Sequence, residues 1–203
     1  MYRYLKKNRN IFKLFEFENG DMNNDVNCIS GYYHGILIGI SQHNNSKQFF
    51  IDQLKKLREK YEPEDFDPGR YEVTDTISYW KSTLHGVGHA LYIKNGDIDE
   101  SVNTCKEIFE TDDLRSLCIS GIYMEKSNEE VNVGMEPDPK FCTQQNGNLT
   151  ELCFAGYRFS PSYVSDVKNY AKVCDSMDNQ RDFYACTRYF LIQNNSNQAD
   201  MSD

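Results

Sequence analysis

The chain has 203 residues, of which 39% are hydrophobic and 13% aromatic, a composition typical of a globular protein rather than a disordered one. Its net charge of −9 argues against a nucleic-acid partner, because such binding depends on Lys and Arg side chains that neutralise phosphates. The longest apolar run, residues 35–40, is far too short to cross a bilayer, so we expect no membrane span.

Apolar residues recur at helical spacing along much of the chain. Four segments are predicted to be helices on this basis: residues 4–17, 50–61, 77–91 and 114–126. Asp75 is a candidate cap of the third helix, and Asn95-Gly96 marks its end. Residues 62–72 are acidic and contain Pro and Gly, which predicts an inserted loop, and residues 194–203 are predicted to form a polar tail.

An internal repeat organises these elements. Cys118-Ile-Ser-Gly-Ile-Tyr-Met-Glu shares five of its eight positions with residues 28–35, and residues 153–160 form a looser copy. When the segments are aligned on this glycine, the equivalent positions along the chain are Gly31, Gly88, Gly121, Gly156 and Tyr189. A period near 34 residues is typical of helix–turn–helix repeats. We therefore predict an all-α, solenoid-like array of about five helix hairpins, forming one domain over residues 1–193.

Six of the seven cysteines fall into pairs within these predicted hairpins: Cys105–Cys118, Cys142–Cys153 and Cys174–Cys186. Each disulfide would close a loop of about a dozen residues and stabilise its hairpin by roughly 2–3 kcal/mol. Reduced core thiols or a cysteine-rich metal site are the alternatives, and the absence of a C-x-x-C motif favours the disulfides. Disulfides indicate a secreted, periplasmic or secretory-lumen protein, although residues 1–10 are not followed by the apolar segment of a signal peptide.

The segments 118–125 and 153–159 resemble the cysteine-stapled Sel1-like and TPR-like helical repeats, in which a small residue lets paired helices approach closely. The resemblance covers residues 98–193. It implies a helical scaffold that offers a concave binding surface.

The histidines are the second informative pattern. His85 and His89 are four residues apart, so both project from one helix face and can bind a single metal ion. Gly86 and Gly88 flank them, and because glycine costs about 1 kcal/mol within a helix, they indicate the close approach of a neighbouring helix or a ligand.

The repeat alignment adds His34 and Glu125 as further ligands. Three imidazoles and a carboxylate suit Zn, Fe(II) or Mn, with Cu less favoured. Four residues are predicted to face the substrate around this site: Tyr33, Tyr92, Tyr123 and Arg158.

These residues predict a metal-dependent enzyme, hydrolytic or oxidative, that acts on a small molecule or a peptide. Glu125 would be a ligand or a general base, and His34 a ligand or a second catalytic group. The alternative is a metal-free scaffold that binds a protein or peptide on its concave face. Packing histidines also remain open, because the alignment equates His85 with the paired cysteines of the other hairpins.

Overall fold

The computed structural model describes residues 26–43, 46–62, 66–67, 75–159 and 167–200. In these ranges the chain is all-helical, as the sequence predicts, and contains no β-strand. The helices are α1 (Val26–His43), α2 (Lys47–Tyr61), α3 (Asp75–Asn95), α4 (Ile98–Ile108), α5 (Asp112–Asn132), α6 (Lys140–Thr143), α7 (Asn148–Gly156), α8 (Val167–Asp175) and α9 (Gln180–Asp200).

Local signals in the sequence explain where several helices begin and end. The Ser46 hydroxyl caps α2 by accepting a hydrogen bond from the backbone N–H of Phe49 at 3.2 Å. The Asp97 carboxylate caps α4 in the same way. Between α3 and α4, Gly96 has a φ of +67°, a left-handed conformation that favours glycine and ends a helix. The predicted end of α3 at Asn95-Gly96 is therefore confirmed.

The fold divides into two compact units, Met1–Ile122 and Tyr123–Asp203. The first unit contains α1 to α4 and the first half of α5, and the second contains the rest of the described chain. The single repeat domain over residues 1–193 stays a prediction. The sequence gives no sign of the division inside α5, because a continuous helix keeps one periodicity while its packing partners change.

Helix α3 is central to the first unit, since both α1 and α4 pack against it. The apolar residues that predict α3 include Trp80, Leu84, Val87 and Leu91, and all four are buried. Burial of such side chains, at roughly 25 cal/mol per Å² of apolar surface, is the main stabilising contribution to this core.

Helices α3 and α5 contact each other through their backbones in this unit. A Cβ atom on Gly88 would lie 2.7 Å from the backbone nitrogen of Ile122 and would overlap the carbonyl oxygen of Cys118. A Cβ atom on Gly121 would lie 3.2 Å from the Cα of Gly88 and would overlap the carbonyl oxygen of His85. Only hydrogen fits at both positions, so the two helix backbones lie directly against each other.

Three disulfide bonds join consecutive helices, and they are the pairs that the sequence predicts. Cys105–Cys118 joins α4 to α5 with a Cα–Cα distance of 6.0 Å. Cys142–Cys153 joins α6 to α7, and Cys174–Cys186 joins α8 to α9, with Cα–Cα distances of 5.4 and 5.5 Å. Disulfides of this kind are typical of extracellular and other oxidising compartments.

Two helices extend beyond their predicted ends. Helix α5 continues six residues past Lys126 to Asn132, and α9 continues to Asp200, into the predicted polar tail. Polar composition does not end a helix by itself, and residues 194–200 contain no Pro or Gly to do so. The predicted helix at 4–17, the side chain of Cys28 and most of the 62–72 loop lie outside the described residues.

We predict that Gly88→Ala destabilises the protein by about 3 kcal/mol, because a methyl group forces α3 and α5 apart. This loss overrides the gain of about 1 kcal/mol that Ala ordinarily brings to a helix. Thermal unfolding followed by circular dichroism measures it. Gly96→Ala is the control, because its Cβ would meet open space and only the positive φ opposes it. Gly96→Ala should lower the free energy of unfolding by about 1–2 kcal/mol. A loss as large as that of Gly88→Ala, or larger, would contradict the prediction.

We also predict that Cys142→Ala with Cys153→Ala lowers the free energy of unfolding by roughly 2–3 kcal/mol, because the disulfide restricts the unfolded chain. Mass spectrometry after alkylation of the unreduced protein should find all six paired cysteines unmodified. Alkylation of any of them without reductant would argue against the pairing.

Candidate functional site

Three histidines of the first unit lie side by side. His34 is on α1, and His85 and His89 lie one turn apart on α3. The ring centroids of His85 and His89 are 5.0 Å apart, and the ring of His34 is 5.8 and 5.2 Å from them. Because α1 packs along α3, residues separated by about fifty positions in sequence meet in one place. We call these three side chains the histidine cluster.

The ring of His34 is held by the backbone of α3. Its Nε2 atom donates a hydrogen bond to the carbonyl oxygen of Ser82 at 2.7 Å. The ring lies over Gly86, where a Cβ atom would be 3.1 Å from Nε2 and would overlap the carbon beside it. Gly86 therefore makes room for an imidazole, which explains its presence inside a helix. The hydrogen bond places the proton of a neutral His34 on Nε2 and makes Nδ1 the basic nitrogen.

His85 is held by α5. Its Nδ1 atom lies 2.8 Å from the hydroxyl oxygen of Ser120. That hydroxyl already donates its own hydrogen to the carbonyl of Leu117 at 2.8 Å, so it accepts from His85. The proton of a neutral His85 is thus on Nδ1, and Nε2 is the basic nitrogen.

His89 completes the chain of hydrogen bonds. Its Nε2 atom lies 3.2 Å from Nε2 of His85. Since the His85 nitrogen is the acceptor, His89 donates. The His89 side chain is buried, with 5% of its surface exposed, and His34 and His85 are half-buried. Tyr92, one of the predicted substrate-facing residues, lies three residues beyond His89 on α3 and is also buried.

The nitrogen positions bear on metal binding. Two nitrogens that bind one zinc ion at about 2.05 Å, with a tetrahedral angle between them, lie about 3.3 Å apart. The distance between the two Nε2 atoms of His85 and His89 is 3.2 Å. Among the described residues, however, no group of three or more His, Cys, Asp or Glu side chains forms a ready-made metal site. The orientation of His34, whose Nε2 is bonded to Ser82, is consistent with this.

The other predicted site residues belong to the second unit or lie outside the described residues. Tyr123 is buried and donates a hydrogen bond to the Gln145 side chain at 3.1 Å. Glu125 is half-buried and accepts a hydrogen bond from Asn128 at 3.2 Å. Nothing is described for the side chain of Tyr33. The sequence-based assignment of Glu125 to the metal site therefore stays a prediction.

Glu125 and Arg158 both line a cleft of about 540 Å³ in the second unit. Arg158 is exposed, and its backbone N–H donates to the Ser127 hydroxyl at 3.1 Å. Next to it, the Tyr157 hydroxyl donates to the buried carboxylate of Glu130. Burial, and then the neighbouring Glu130 carboxylate, raise the pKa of Tyr157 far above its usual range. Tyr157 therefore serves as a hydrogen-bond donor that fastens residues 157–159 to α5.

Sequence reasoning missed the two groups that orient the imidazoles, the Ser82 carbonyl and the Ser120 hydroxyl. Ser120 carries a signal, because Cys-Ile-Ser-Gly occurs at residues 28–31 and again at 118–121. The Cys and the Gly of that motif define the repeat and the disulfides, but the sequence alone assigns no role to the Ser. A backbone carbonyl such as that of Ser82 leaves no signal in a sequence.

Comparison of the chain with protein-family models, with curated proteins and with solved structures found no match. None of the helices in the described part of the chain is long and apolar enough to span a bilayer.

We predict that the metal-free protein carries the imidazole proton on Nε2 in His34 and His89 and on Nδ1 in His85. Long-range ¹H–¹⁵N correlation spectra at mildly alkaline pH, where imidazole is ordinarily neutral, distinguish the two tautomers. Ser120→Ala should shift His85 toward the Nε2–H form, because its Nδ1 loses the acceptor.

Ser116→Ala is the matched control, because Ser116 lies on the same helix and its hydroxyl donates to the carbonyl of Asp112 at 2.7 Å. It should leave the spectrum of His85 unchanged. A His85 with its proton on Nε2 in the unmodified protein would contradict the prediction.

Proposed function

We propose that the histidine cluster binds a transition metal ion and that the protein is a metal-dependent enzyme. The observation that supports this best is the 3.2 Å separation of Nε2 in His85 and Nε2 in His89, within a group of three adjacent imidazoles. That separation fits both a hydrogen bond and the spacing of two ligands on one tetrahedral ion.

The hydrogen bonds around the rings also support a metal site. A histidine that binds a metal usually donates its other ring N–H to a carbonyl, a carboxylate or water, which fixes the ring and raises its basicity. His34 has the Ser82 carbonyl in this role, and His85 has the Ser120 hydroxyl. In each ring the basic nitrogen is then the one that would bind the ion.

Metal binding would replace the hydrogen bond between His89 and His85. His89 would move its proton from Nε2 to Nδ1, and both Nε2 atoms would bind the ion. His34 would serve as the third ligand through Nδ1. Three histidine ligands suit Zn, Fe(II) or Mn, and Cu less well, and leave a coordination position open as catalytic sites require.

Such an ion would polarise a substrate oxygen or lower the pKa of a bound water, which supports a hydrolytic or oxidative reaction on a small molecule or a peptide. The array of five hairpins, the resemblance to Sel1-like repeats and a secreted or periplasmic location belong to the same proposal.

The first test is metal content. We expect the protein, purified without an affinity tag or chelator, to bind about one equivalent of Zn(II) or Co(II), and Co(II) to show the absorption of four-coordinate nitrogen ligation. His85→Ala and His89→Ala should abolish stoichiometric binding. Ser120→Ala should weaken it by about 10–100-fold, because the ligand loses its orienting partner. Inductively coupled plasma mass spectrometry and titration calorimetry measure these effects.

His43→Ala is the matched control, since it removes the one histidine outside the cluster, and it should bind metal as the unmodified protein does. Chelation followed by addition of Zn(II) or Fe(II) should abolish and then restore hydrolysis of nitrophenyl esters or uptake of dioxygen. A protein that takes up no ion, or that binds equally well without His85 and His89, would refute the metalloenzyme. The metal-free scaffold with its concave binding face would then be the better account.

A further inference from the structure

The hairpin of α6 and α7 contains a short sequence that secreted proteins use for covalent modification. Asn148-Leu149-Thr150 is an Asn-x-Thr triplet with no proline at its middle position. Such a triplet is the acceptor sequence for N-linked glycans, which are bulky and solubilising and lie on protein surfaces. Triplets of this kind also arise by chance in a chain rich in Asn, so the position of this one in the fold decides whether it is usable.

Asn148 lies where a glycan can be carried without disturbing the fold. It is the first residue of α7, and it is exposed. Asn146 and Gly147, which precede it in the turn, are exposed as well. Gly147 has a φ of +60°, a left-handed conformation that favours glycine, and it is the N-cap of α7. A glycan on Asn148 would therefore extend into solvent and would remove no helix cap.

Thr150, the third residue of the triplet, has the opposite environment. It is completely buried, and its hydroxyl donates a hydrogen bond to the carbonyl oxygen of Gln145 at 2.8 Å. The Asn and the hydroxyl-bearing residue both belong to the acceptor sequence, but the folded hairpin presents only Asn148 at its surface. The attachment of a glycan therefore has to precede the folding of this hairpin.

The Cys142–Cys153 disulfide encloses the triplet. Once it has formed, it joins α6 to α7 on either side of Asn148 and restricts the opening that would release Thr150. Disulfides of this kind form in oxidising compartments such as the secretory lumen, and N-linked glycans belong to proteins that pass through such compartments. The disulfide and the triplet therefore point to the same stage in the life of the chain.

We propose that Asn148 carries an N-linked glycan, attached during export before the Cys142–Cys153 disulfide closes the hairpin. The donor is an oligosaccharide joined to a lipid through phosphate. The Nδ2 atom of Asn148 forms a bond to the anomeric carbon of the first sugar and gives up one proton, while the bond from that carbon to the phosphate oxygen breaks and the lipid phosphate leaves. The inference rests on the secreted or periplasmic location that belongs to the proposed function, and it does not involve the histidine cluster.

Secretion from a eukaryotic host tests the site. The full chain, exported behind an added secretion leader, should carry a glycan that peptide-N-glycosidase removes. Removal in ¹⁸O water converts the glycosylated Asn into labelled Asp, so peptide mass spectrometry should find the label at position 148. Asn148→Gln should lose this label, and Thr150→Ser should keep it, because Ser also completes the acceptor sequence and retains a hydroxyl. The label distinguishes this site from the triplets that begin at Asn44 and Asn194.

Asn146→Gln is the matched control, because it changes an exposed amide of the same turn that is not part of an acceptor triplet. It should keep the label at position 148. Since the leader enforces export, an unlabelled position 148 would overturn the proposal whatever the natural location of the protein. Asn148→Gln should bind metal as the unmodified protein does, so the metal site is judged separately.

The order of events is tested on protein made without glycosylation in bacteria. Purified oligosaccharyltransferase with its lipid-linked donor should modify Asn148 in the reduced and unfolded chain, because unfolding releases Thr150. It should leave Asn148 unmodified in the folded, disulfide-bonded chain, whose folding is checked by circular dichroism. Equal modification of the two forms would overturn the proposed order, and an unfolded chain that is not modified at Asn148 would overturn the site.

Discussion

The direct backbone contact between α3 and α5 is the constraint on which the rest of the first unit depends. Gly88 and Gly121 meet where any side chain would overlap the opposing backbone, so α5 lies against α3 in a single register. The disulfide from Cys118 ties the same part of α5 to α4. Close packing of this kind leaves no room for a Cβ atom, so a larger residue at either position has to displace one of the two helices.

The contact between α3 and α5 also determines the orientation of His85 in the histidine cluster. Gly121 faces the backbone carbonyl oxygen of His85. The imidazole of His85 is hydrogen-bonded to Ser120, the residue before Gly121. A change in the helix contact would therefore move the hydroxyl that orients His85. His34 is held in the same manner by the Ser82 carbonyl on α3. The same short stretches of helix thus determine both the packing of the unit and the direction of its ring nitrogens.

Several features could be predicted from residues alone because they depend on short-range pattern. The spacing of Trp80, Leu84 and Leu91 determines one apolar helix face, and a glycine at position 96 marks a helix end. The three disulfides also followed from spacing, since each pair lies within one helix hairpin. The division of the fold inside α5 did not follow, because nothing in a helical period records which neighbours the helix packs against.

For the site, the sequence by itself determined that His85 and His89 share a helix face, because a separation of four residues is one helical turn. It also indicated, through Gly86 and Gly88, that something approaches α3 closely. Only the tertiary structure decided that His34 lies over Gly86 and that α5 lies over Gly88. It alone supplied the Ser82 carbonyl and the Ser120 hydroxyl, because a hydrogen bond between residues 35 or 48 positions apart depends on helix packing and not on local spacing.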